Sequence, residues 1–336
     1  MGGVSLRNVA ELAGVSVRTV SNVVNRFPHV APDTRARVER ALEQLNYRPN
    51  LAARNLRRGR SGLIGLVVPE IDSPYFSELA AHLILAAERR SWTVLVDQTG
   101  GDPARERGFL EGAAASFVDG LVFSPWGLGA ADLRRGAEDI PLVFLGERTS
   151  DGVADHLAID NVAAALEATE HLIALGRRRI AAVGVQPHLT NETARLRLEG
   201  YRTALRAAGH PRDEQLEVQV AALHRADGAA AMRTLLALPD PPDAVFCFND
   251  QLALGALRAA YEAGLDVPRD LAVVGFDDIE DGRYAFPSLT TISPDKGAIA
   301  VRALECLAER LDGERADSAR DIVVPHRLIV RESTGH

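Results

Sequence analysis

The chain has 336 residues, of which 46% are hydrophobic and 5% aromatic, and it carries a formal net charge of −8. This length exceeds what one hydrophobic core supports, so we expect two or three domains. Two cysteines exclude a disulfide framework, no apolar run reaches the about 18 residues of a membrane span, and the N-terminus does not resemble a signal peptide, so we expect a cytoplasmic protein with no membrane partner.

The charge is distributed unevenly along the chain. Residues 1–60 contain eleven arginines and four acidic residues, which gives this segment +7, whereas the remaining residues sum to −15. A basic head on an acidic body favours a polyanionic partner for the head. The alternative is an ordinary solvated helical surface, which a run of charge alone would favour.

Three helices are predicted in the head. The apolar positions predict a helix over 6–13 with Ser5 as its N-cap, and a second helix over 17–24 that is capped by Ser16. The i, i+3, i+4, i+7 spacing predicts a third helix with one buried face over 32–45.

The turn between the first two helices gives the layout of a helix-turn-helix. Gly14 permits the backbone angle of a tight turn, and Val20 is placed to fill the space between the helices. Positions 17, 18 and 22 then face outward together. The alternative is any small helical hairpin, which has the same spacing.

The body alternates short apolar strands with helical stretches, which predicts parallel sheets covered on both faces. This alternation of strands and helices occurs in two blocks, so we expect two similar α/β subdomains. The segments between 289 and 330 are expected to cross back between them. The predicted strands are 63–68, 93–96, 120–123, 142–145, 179–185, 244–248 and 271–276.

Motifs typical of several enzyme classes do not occur. The sequence has no GxGxxG after a strand, no P-loop, no GxSxG elbow and no cysteine–histidine metal spacing. We therefore expect no catalytic residues, no metal and no cofactor, and we do not expect an enzyme.

A series of longer motifs extends over essentially the whole chain. They are LRNVAELAGVSVRTVSNVVN, VAPDTRARVERALEQLNYRPNLAARNL, IGLVVPEIDSPYFSEL, HLIALGRRRIAAV, RLRLEGYRTAL, FNDQLALGAL, VPRDLAVVGFDD and PSLTTI. In this order they resemble the lactose-repressor/galactose-repressor (LacI/GalR) family of bacterial transcription regulators.

The resemblance implies a three-part organisation. An all-α helix-turn-helix DNA-binding head would occupy 1–49 and a hinge helix or linker 50–60. An effector-binding and dimerisation domain would occupy 61–336, built as two Rossmann-like subdomains of the periplasmic-binding-protein type. Subdomain N would comprise about 61–161 plus 293–322, and subdomain C about 162–290 plus 323–333.

In this family the second helix lies in the major groove of DNA. The resemblance assigns base reading to Val17, Arg18 and Asn22, which offer a methyl contact, a guanidinium fork and an amide. Phosphate contacts in the same groove are implied for Ser16, Thr19, Ser21 and Asn25, and a further backbone contact for Tyr47. For Ser21 and Asn25, local backbone capping is the alternative.

The segment 50–60 resembles the hinge helix of the family. It has too little apolar surface to fold alone, so we expect it to be disordered until DNA and a second subunit hold it. The resemblance places Asn50, Ala53 and Leu56 in the minor groove, with Leu56 as an apolar wedge. A solvated linker is the alternative.

Ligands of such α/β folds bind where the carboxyl ends of the strands meet around a cleft. The resemblance assigns effector contacts to Arg197, Asn249 and Asp277, whose guanidinium, amide and carboxylate suit the hydroxyls of a sugar. Aromatic or polar side chains expected to line the same cleft are Tyr75, Phe76, Ser124 and Trp126. The alternatives are helix capping by Asn249, an ion pair of Arg197 with Glu199, and core packing of the aromatic rings.

One position departs from the family pattern. After the strand LVFL, sugar-binding members often carry an acid or an arginine, whereas this chain has Gly146, followed by Glu147 and Arg148. The set of hydroxyl-binding groups is therefore incomplete or shifted, and a different sugar, a phosphosugar or another small polar molecule is open as the ligand.

We expect a sequence-specific transcriptional repressor that binds a pseudo-palindromic double-stranded DNA operator as a homodimer. Its effector is expected to be a small polar molecule, with a sugar as the first choice. The alternatives are a family regulator that responds to a nucleobase, a phosphosugar or a phosphoprotein co-regulator, a solute-binding protein of a transporter, and an enzyme.

Overall fold

The computed structural model describes residues 4–24, 27–47, 60–111, 117–147, 152–187, 192–313 and 319–335. They belong to two compact units, 1–61 and 62–336. None of the helices in the described ranges is long and apolar enough to cross a bilayer.

The first unit is helical. Its described residues form α1 (Leu6–Ala13), α2 (Val17–Val24) and α3 (Pro32–Gln44). Each helix contributes a fully buried valine to the core, and these are Val9, Val20 and Val38. The three predicted helices and their buried faces are therefore confirmed.

Local hydrogen bonds begin and end the first two helices where the sequence predicts. The hydroxyl of Ser5 accepts a bond from the Asn8 backbone N–H, and the Asn8 side chain accepts one in return from the Ser5 N–H. Gly14 ends α1 with φ at 63°, a left-handed conformation that a side chain would strain. Ser16 Oγ accepts the Thr19 N–H at 3.1 Å and so caps α2.

The second unit contains two lobes of alternating strands and helices. The first lobe runs through β1 (Leu63–Val68), α4 (Pro74–Glu88), β2 (Thr93–Gln98), α5 (Pro103–Glu111), β3 (Gly120–Phe123), α6 (Ala130–Asp139), β4 (Leu142–Leu145) and β5 (Asp155–Ala158). The second runs through α7 (Asn161–Ala174), β6 (Ile180–Val185), α8 (Glu192–Ala207), β7 (Glu217–Gln219), α9 (Arg225–Leu236), β8 (Ala244–Cys247), α10 (Asp250–Glu262), β9 (Ala272–Phe276) and α11 (Glu280–Arg283).

The chain then crosses between the lobes. Its last elements are β10 (Thr290–Pro294), α12 (Lys296–Leu311), β11 (Asp321–Val323) and β12 (His326–Ile329). Strand β10 lies in the second sheet, α12 packs against α4 of the first lobe, β11 joins the first sheet and β12 joins the second. The predicted crossing-back of this segment is confirmed.

Each lobe has a six-stranded sheet, in the orders β11-β5-β4-β3-β1-β2 and β12-β10-β9-β8-β6-β7. All neighbouring strands are parallel except β10 and β12, which pair antiparallel at the edge of the second sheet. Most central strands are buried along their whole length, as expected for sheets covered by helices on both faces. The carboxyl ends of the parallel strands therefore define one edge of each lobe.

Helices α9 and α10 of the second lobe touch backbone to backbone. A Cβ atom on Gly228 would lie 2.1 Å from the carbonyl oxygen of Leu252, and one on Gly255 would lie 2.0 Å from that of Arg225. Each helix thus supplies a glycine where the other approaches, and no larger residue fits at either position without separating the helices.

A buried carboxylate fixes the crossover helix to the first sheet. Asp155, which is 0% exposed, accepts hydrogen bonds from Arg310 Nε at 2.9 Å and from Arg320 Nε and Nη2, both at 3.0 Å. Burial alone would raise the pKa of Asp155, but the bonds from Arg320 and Arg310 hold it below its usual range. The carboxylate therefore ties β5 to α12 and to the start of β11.

Asp155→Asn should lower the free energy of unfolding by about 3–5 kcal/mol at neutral pH, because two arginines lose a buried anionic partner. The folded-state pKa of Asp155 is depressed, so its stabilisation is present above the unfolded pKa and is lost as the pH falls through the folded value. The difference between wild type and variant should therefore shrink below about pH 4. Urea unfolding of both proteins, at neutral pH and below about pH 4, measures this difference in the free energy of unfolding.

Glu262→Gln is the matched control, because Glu262 also lies between two arginines, Arg233 and Arg258, but on the surface. Exposed ion pairs contribute little. Equal losses of stability in the two variants would contradict the special role of the buried site.

Candidate functional site

The outer face of α2 in the first unit carries the side chains predicted to read DNA. Val17 is 44% exposed and Arg18 is exposed, while Asn22 is half-buried one turn further along. Val20 and Val23 point the other way, into the core. The structure therefore presents positions 17, 18 and 22 away from the core of the unit, as predicted, and their contacts with bases remain a prediction.

The predicted phosphate contacts occupy different environments. Ser16 is exposed, and its Oγ lies 2.8 Å from Thr19 Oγ1, so the two hydroxyls bond to each other beside the N-terminus of α2. Ser21 is half-buried, and Tyr47 packs partly against the core of the unit. The remaining predicted DNA contacts lie outside the described residues, and these are Asn25, Asn50, Ala53 and Leu56.

A cleft between the lobes of the second unit contains the second set of predicted residues. It offers about 900 Å³ of space not filled by atoms, part of it open to solvent. All seven predicted effector residues line it: Tyr75, Phe76, Ser124, Trp126, Arg197, Asn249 and Asp277. Six of them follow a strand or begin a helix at the carboxyl edge of a sheet, and Arg197 reaches the same place from the second turn of α8.

One wall of the cleft is aromatic. The rings of Tyr75 and Phe76 meet edge to face with centroids 5.1 Å apart, and Phe76 meets Trp126 in the same way at 6.2 Å. The loop that carries Trp126 is held by buried Glu106, which accepts the backbone N–H groups of Trp126, Gly127 and Leu128 at 2.8–2.9 Å. The wall is therefore a fixed apolar surface suited to a flat or ring-shaped ligand.

Arg197 lies at the floor of the cleft and is 7% exposed. Its Nε donates to Asn161 Oδ1 at 2.7 Å, its Nη1 to the carbonyl of Phe248, and its guanidinium lies 3.4 Å from the ring centroid of Phe276. Nη2 is 4.0 Å from Asp277 Oδ1. The ion pair with Glu199 does not form, because Glu199 pairs with Arg195 instead.

Asp277 and Asp278 form a strained turn at the end of β9. Both have left-handed backbone angles, with φ at 109° and 49°. Lys296 Nζ donates to both of their carbonyl oxygens, at 2.6 and 3.0 Å, and the Asp278 carboxylate accepts from Arg283 and Arg331. These bonds hold the turn so that the Asp277 side chain borders the cleft.

Asn249 is engaged within the protein at both ends of its amide. Its Oδ1 accepts the Leu252 N–H at 2.8 Å and caps α10, and its Nδ2 donates to the Leu223 carbonyl at 2.8 Å. The capping alternative is therefore realised. A direct ligand contact through this amide would share or replace one of these bonds, and it remains a prediction.

Two carboxylates that the sequence did not single out as ligands also line the cleft. Glu70 follows β1, and Glu147 follows β4 at the position where the sequence departs from the family pattern. Their place directly after strands was the available signal. Burial raises the pKa of Glu147 to about 7, which Arg197 only partly offsets, and burial raises that of Asp277 to about 6 against the effect of Arg197 and Lys296.

No group of three or more histidine, cysteine, aspartate or glutamate side chains within the described ranges is placed to hold a metal ion. The chemistry that the cleft offers in those ranges is therefore hydrogen bonding, charge and apolar contact.

Comparison with known proteins covers both units. The family described as bacterial regulatory proteins, lacI family, matches residues 5–50, and a periplasmic binding protein-like domain matches residues 169–334. The chain is 34% identical over 335 residues to the HTH-type transcriptional repressor PurR of Haemophilus influenzae (strain PittEE), with 98% of each chain covered. It is 35% identical over 309 residues to the ribose operon repressor of Escherichia coli (strain K12), with 91% of this chain and 93% of that one covered.

A solved structure extends the likeness to three dimensions. The lac repressor dimer bound to operator and the anti-inducer ONPF is 29% identical, with a TM-score of 0.83 over 100% of both chains. The relatives match from the helix-turn-helix to the last strands, so the likeness is not confined to one unit. The chain therefore belongs to the lacI family of bacterial regulatory proteins, and it is a DNA-binding transcriptional regulator.

Proposed function

We propose that this protein is a homodimeric repressor that binds a pseudo-palindromic operator. A sugar is its effector and either releases the repressor from the operator or strengthens its binding. One observation carries the proposal: a single chain combines an outward-facing, capped recognition helix on a basic unit with an enclosed, partly aromatic cleft in a second unit. Because the operator is double-stranded DNA, we place the repressor in the cytoplasm of the bacterium.

Base reading is assigned to Val17, Arg18 and Asn22. The Arg18 guanidinium is exposed and can present two parallel donors to guanine, while Ser16 and Thr19 lie at the amino end of α2, where a phosphate is favoured. Asn50, Ala53 and Leu56 are assigned to the minor groove, with Leu56 inserted as a wedge at the centre of the operator.

A sugar suits the cleft for two reasons. Its hydroxyls can donate to the carboxylates of Asp277 and Glu147, and the apolar face of its ring can lie against Trp126 and Phe76. The protein returns this ligand unchanged, since it acts as an effector and not as a substrate. A solute-binding protein is disfavoured, because the lacI-family match at 5–50 belongs to a DNA-binding head.

Coupling from the cleft is assigned to the ion pair between buried Lys296 and half-buried Glu78, which connects the two lobes. Glu78 on α4 accepts Lys296 Nζ at 2.7 Å through one oxygen and the Glu280 backbone N–H at 2.9 Å through the other. Lys296 in turn holds the carbonyl of Asp277. A ligand that moves Asp277 therefore acts directly on the bonds that connect the second lobe to α4 of the first.

The interface of the homodimer is assigned to an apolar surface of the first lobe. The edge strand β2 is largely exposed, and large apolar side chains on it and beside it face solvent at 38–59% exposure. They are Ile71, Ile84, Leu85, Leu95 and Val96. Since an exposed edge strand with an apolar surface is prone to pairing, and the lac repressor compared above is a dimer, we assign this surface to the homodimer.

Arg18→Ala should relax the base preference at one position of each half-site by about 1–3 kcal/mol, because a bidentate contact to a base edge is lost. The control is Arg40→Ala, which removes the same charge from exposed α3. Selection of operators from a random oligonucleotide pool measures both. If Arg18→Ala weakens binding to all sequences alike, Arg18 contacts the backbone and the assignment is wrong.

Glu147→Gln should flatten the dependence of stability on pH. In the unliganded protein, the pKa values of about 7 for Glu147 and about 6 for Asp277 lie above their unfolded values. The folded state therefore keeps protons that the unfolded chain releases, and the free energy of unfolding falls as the pH rises from about 5 to about 7. Denaturant unfolding across this range should show a smaller fall for Glu147→Gln, while Glu262→Gln keeps the wild-type slope.

Leu95→Asp should shift the protein toward the monomer and weaken operator binding by lowering the concentration of dimer. Tyr261→Asp places the same charge at an apolar position of α10 that is 74% exposed, and it should leave the dimer intact. Sedimentation velocity distinguishes the two. A Leu95→Asp protein that remains dimeric would remove this surface from the proposal.

A further inference from the structure

The cleft is rich in carboxylates and poor in available cations, and this restricts its ligand. Resting on the proposed role of the cleft as the effector site, we infer that the effector is a polyhydroxylated compound without negative charge, and that an amino group in place of one hydroxyl strengthens its binding. Phosphosugars, which the sequence left open, are excluded by the same arrangement, and so are sugar acids.

Arg197 is already engaged by protein groups. Among the described residues that line the cleft, it alone carries a guanidinium or ammonium group. Its Nε and Nη1 donate to Asn161 and to the Phe248 carbonyl, and Phe276 covers its face. Binding a phosphate or carboxylate in a bidentate fork would require these bonds to break inside a buried site.

The other basic side chains that the structure describes near the cleft are also engaged by protein groups. Lys296 is 8% exposed and donates to two backbone carbonyls and to Glu78. His224 faces Glu70, with Nε2 3.6 Å from the carboxylate oxygen. Within the described ranges, an anionic ligand would therefore meet no cation that is not already paired with protein groups.

The carboxylates, in contrast, face the ligand space. Glu70, Glu147 and Asp277 border the cleft from the ends of three different strands. The cation closest to Asp277 in the cleft, Nη2 of Arg197, is 4.0 Å away, which is beyond hydrogen-bond distance. At a pH above the raised pKa values of Glu147 and Asp277, three carboxylates around one guanidinium give an excess of negative charge in a partly desolvated space, where charge acts over longer range than in water.

These groups accept hydrogen bonds and donate none when ionised. A ligand must therefore supply the donors, which hydroxyls and a protonated amine do. A phosphate adds roughly −1.5 to −2 charges and only acceptors, so it would be repelled and left without partners. A protonated amine binds more tightly than a hydroxyl, because its positive charge also balances the negative charge of the carboxylates that Arg197 does not neutralise.

The charge of the cleft can be measured without knowing the ligand. The chain has two tryptophans, so Trp92→Phe leaves Trp126 in the cleft wall as the only reporter. At pH 8, above the pKa of about 7 of Glu147, and at constant ionic strength, its fluorescence is quenched with caesium, iodide and neutral acrylamide, each normalised to free N-acetyltryptophanamide. We expect caesium to quench at least about twofold more strongly than iodide.

Charge-removing variants give the matched test. Glu147→Gln and Glu70→Gln, each in the Trp92→Phe background, should lower the ratio of caesium to iodide quenching. Glu88→Gln, on the exposed end of α4, should leave the ratio unchanged. Glu70 lies at the more exposed side of the cleft, so Glu70→Gln serves if Glu147→Gln folds poorly. Iodide quenching equal to or stronger than caesium quenching in the Trp92→Phe protein overturns the inference.

A ligand panel tests the chemical class directly. Thermal shift and calorimetry compare glucose, galactose and ribose with their 2-amino and phosphorylated derivatives and with the corresponding sugar acids. We expect an amino derivative to bind at least about tenfold more tightly than its parent, and the anionic derivatives to bind more weakly. A phosphorylated or acidic derivative that binds more tightly than its parent overturns the inference while the proposed sugar site stands. If no sugar of any class binds while the quenching ratio favours caesium, the proposed sugar effector fails and the exclusion of anions holds.

Discussion

The turn formed by Asp277 and Asp278 is the constraint on which the cleft depends. Two consecutive non-glycine residues adopt left-handed angles, which an isolated chain would avoid. The turn persists because Lys296 holds both carbonyls and the arginines Arg283 and Arg331 hold the Asp278 carboxylate. Backbone strain is thus balanced by charge-assisted hydrogen bonds from elements that lie far apart in the sequence.

That arrangement also explains why the crossover segment is central to the protein. Lys296 begins α12, the helix that leaves the second sheet and packs on the first lobe. It is the only lysine of the chain, and its buried ammonium meets Glu78 of the first lobe and the turn of the second. A movement of Asp277 would therefore act on the bonds from Lys296 to this turn, and through Lys296 on Glu78.

Sequence patterns predicted the elements and the edge of the sheets where side chains would meet. Asp277 and Ser124 could be assigned to the cleft because each follows a strand, and parallel strands end at a common edge. Tyr75 could be assigned to it because it begins the helix after the first strand. The orientation of Arg197 could not be predicted, since its partners Asn161 and Phe248 come from other parts of the chain. Glu147 and Lys296 were visible in the sequence, but only three-dimensional packing shows that one is buried at the ligand space and the other bridges the lobes.

The paired glycines of α9 and α10 restrict which positions of such a regulator can change in sequence. With backbones in contact at Gly228 and Gly255, these two helices tolerate almost no adjustment, so selection should act strongly against drift at both positions. The cleft residues lie instead on strand ends and first helical turns, where a side chain can be exchanged without moving the scaffold. Effector preference can therefore change over evolutionary time while the packing of the helices and sheets stays constant.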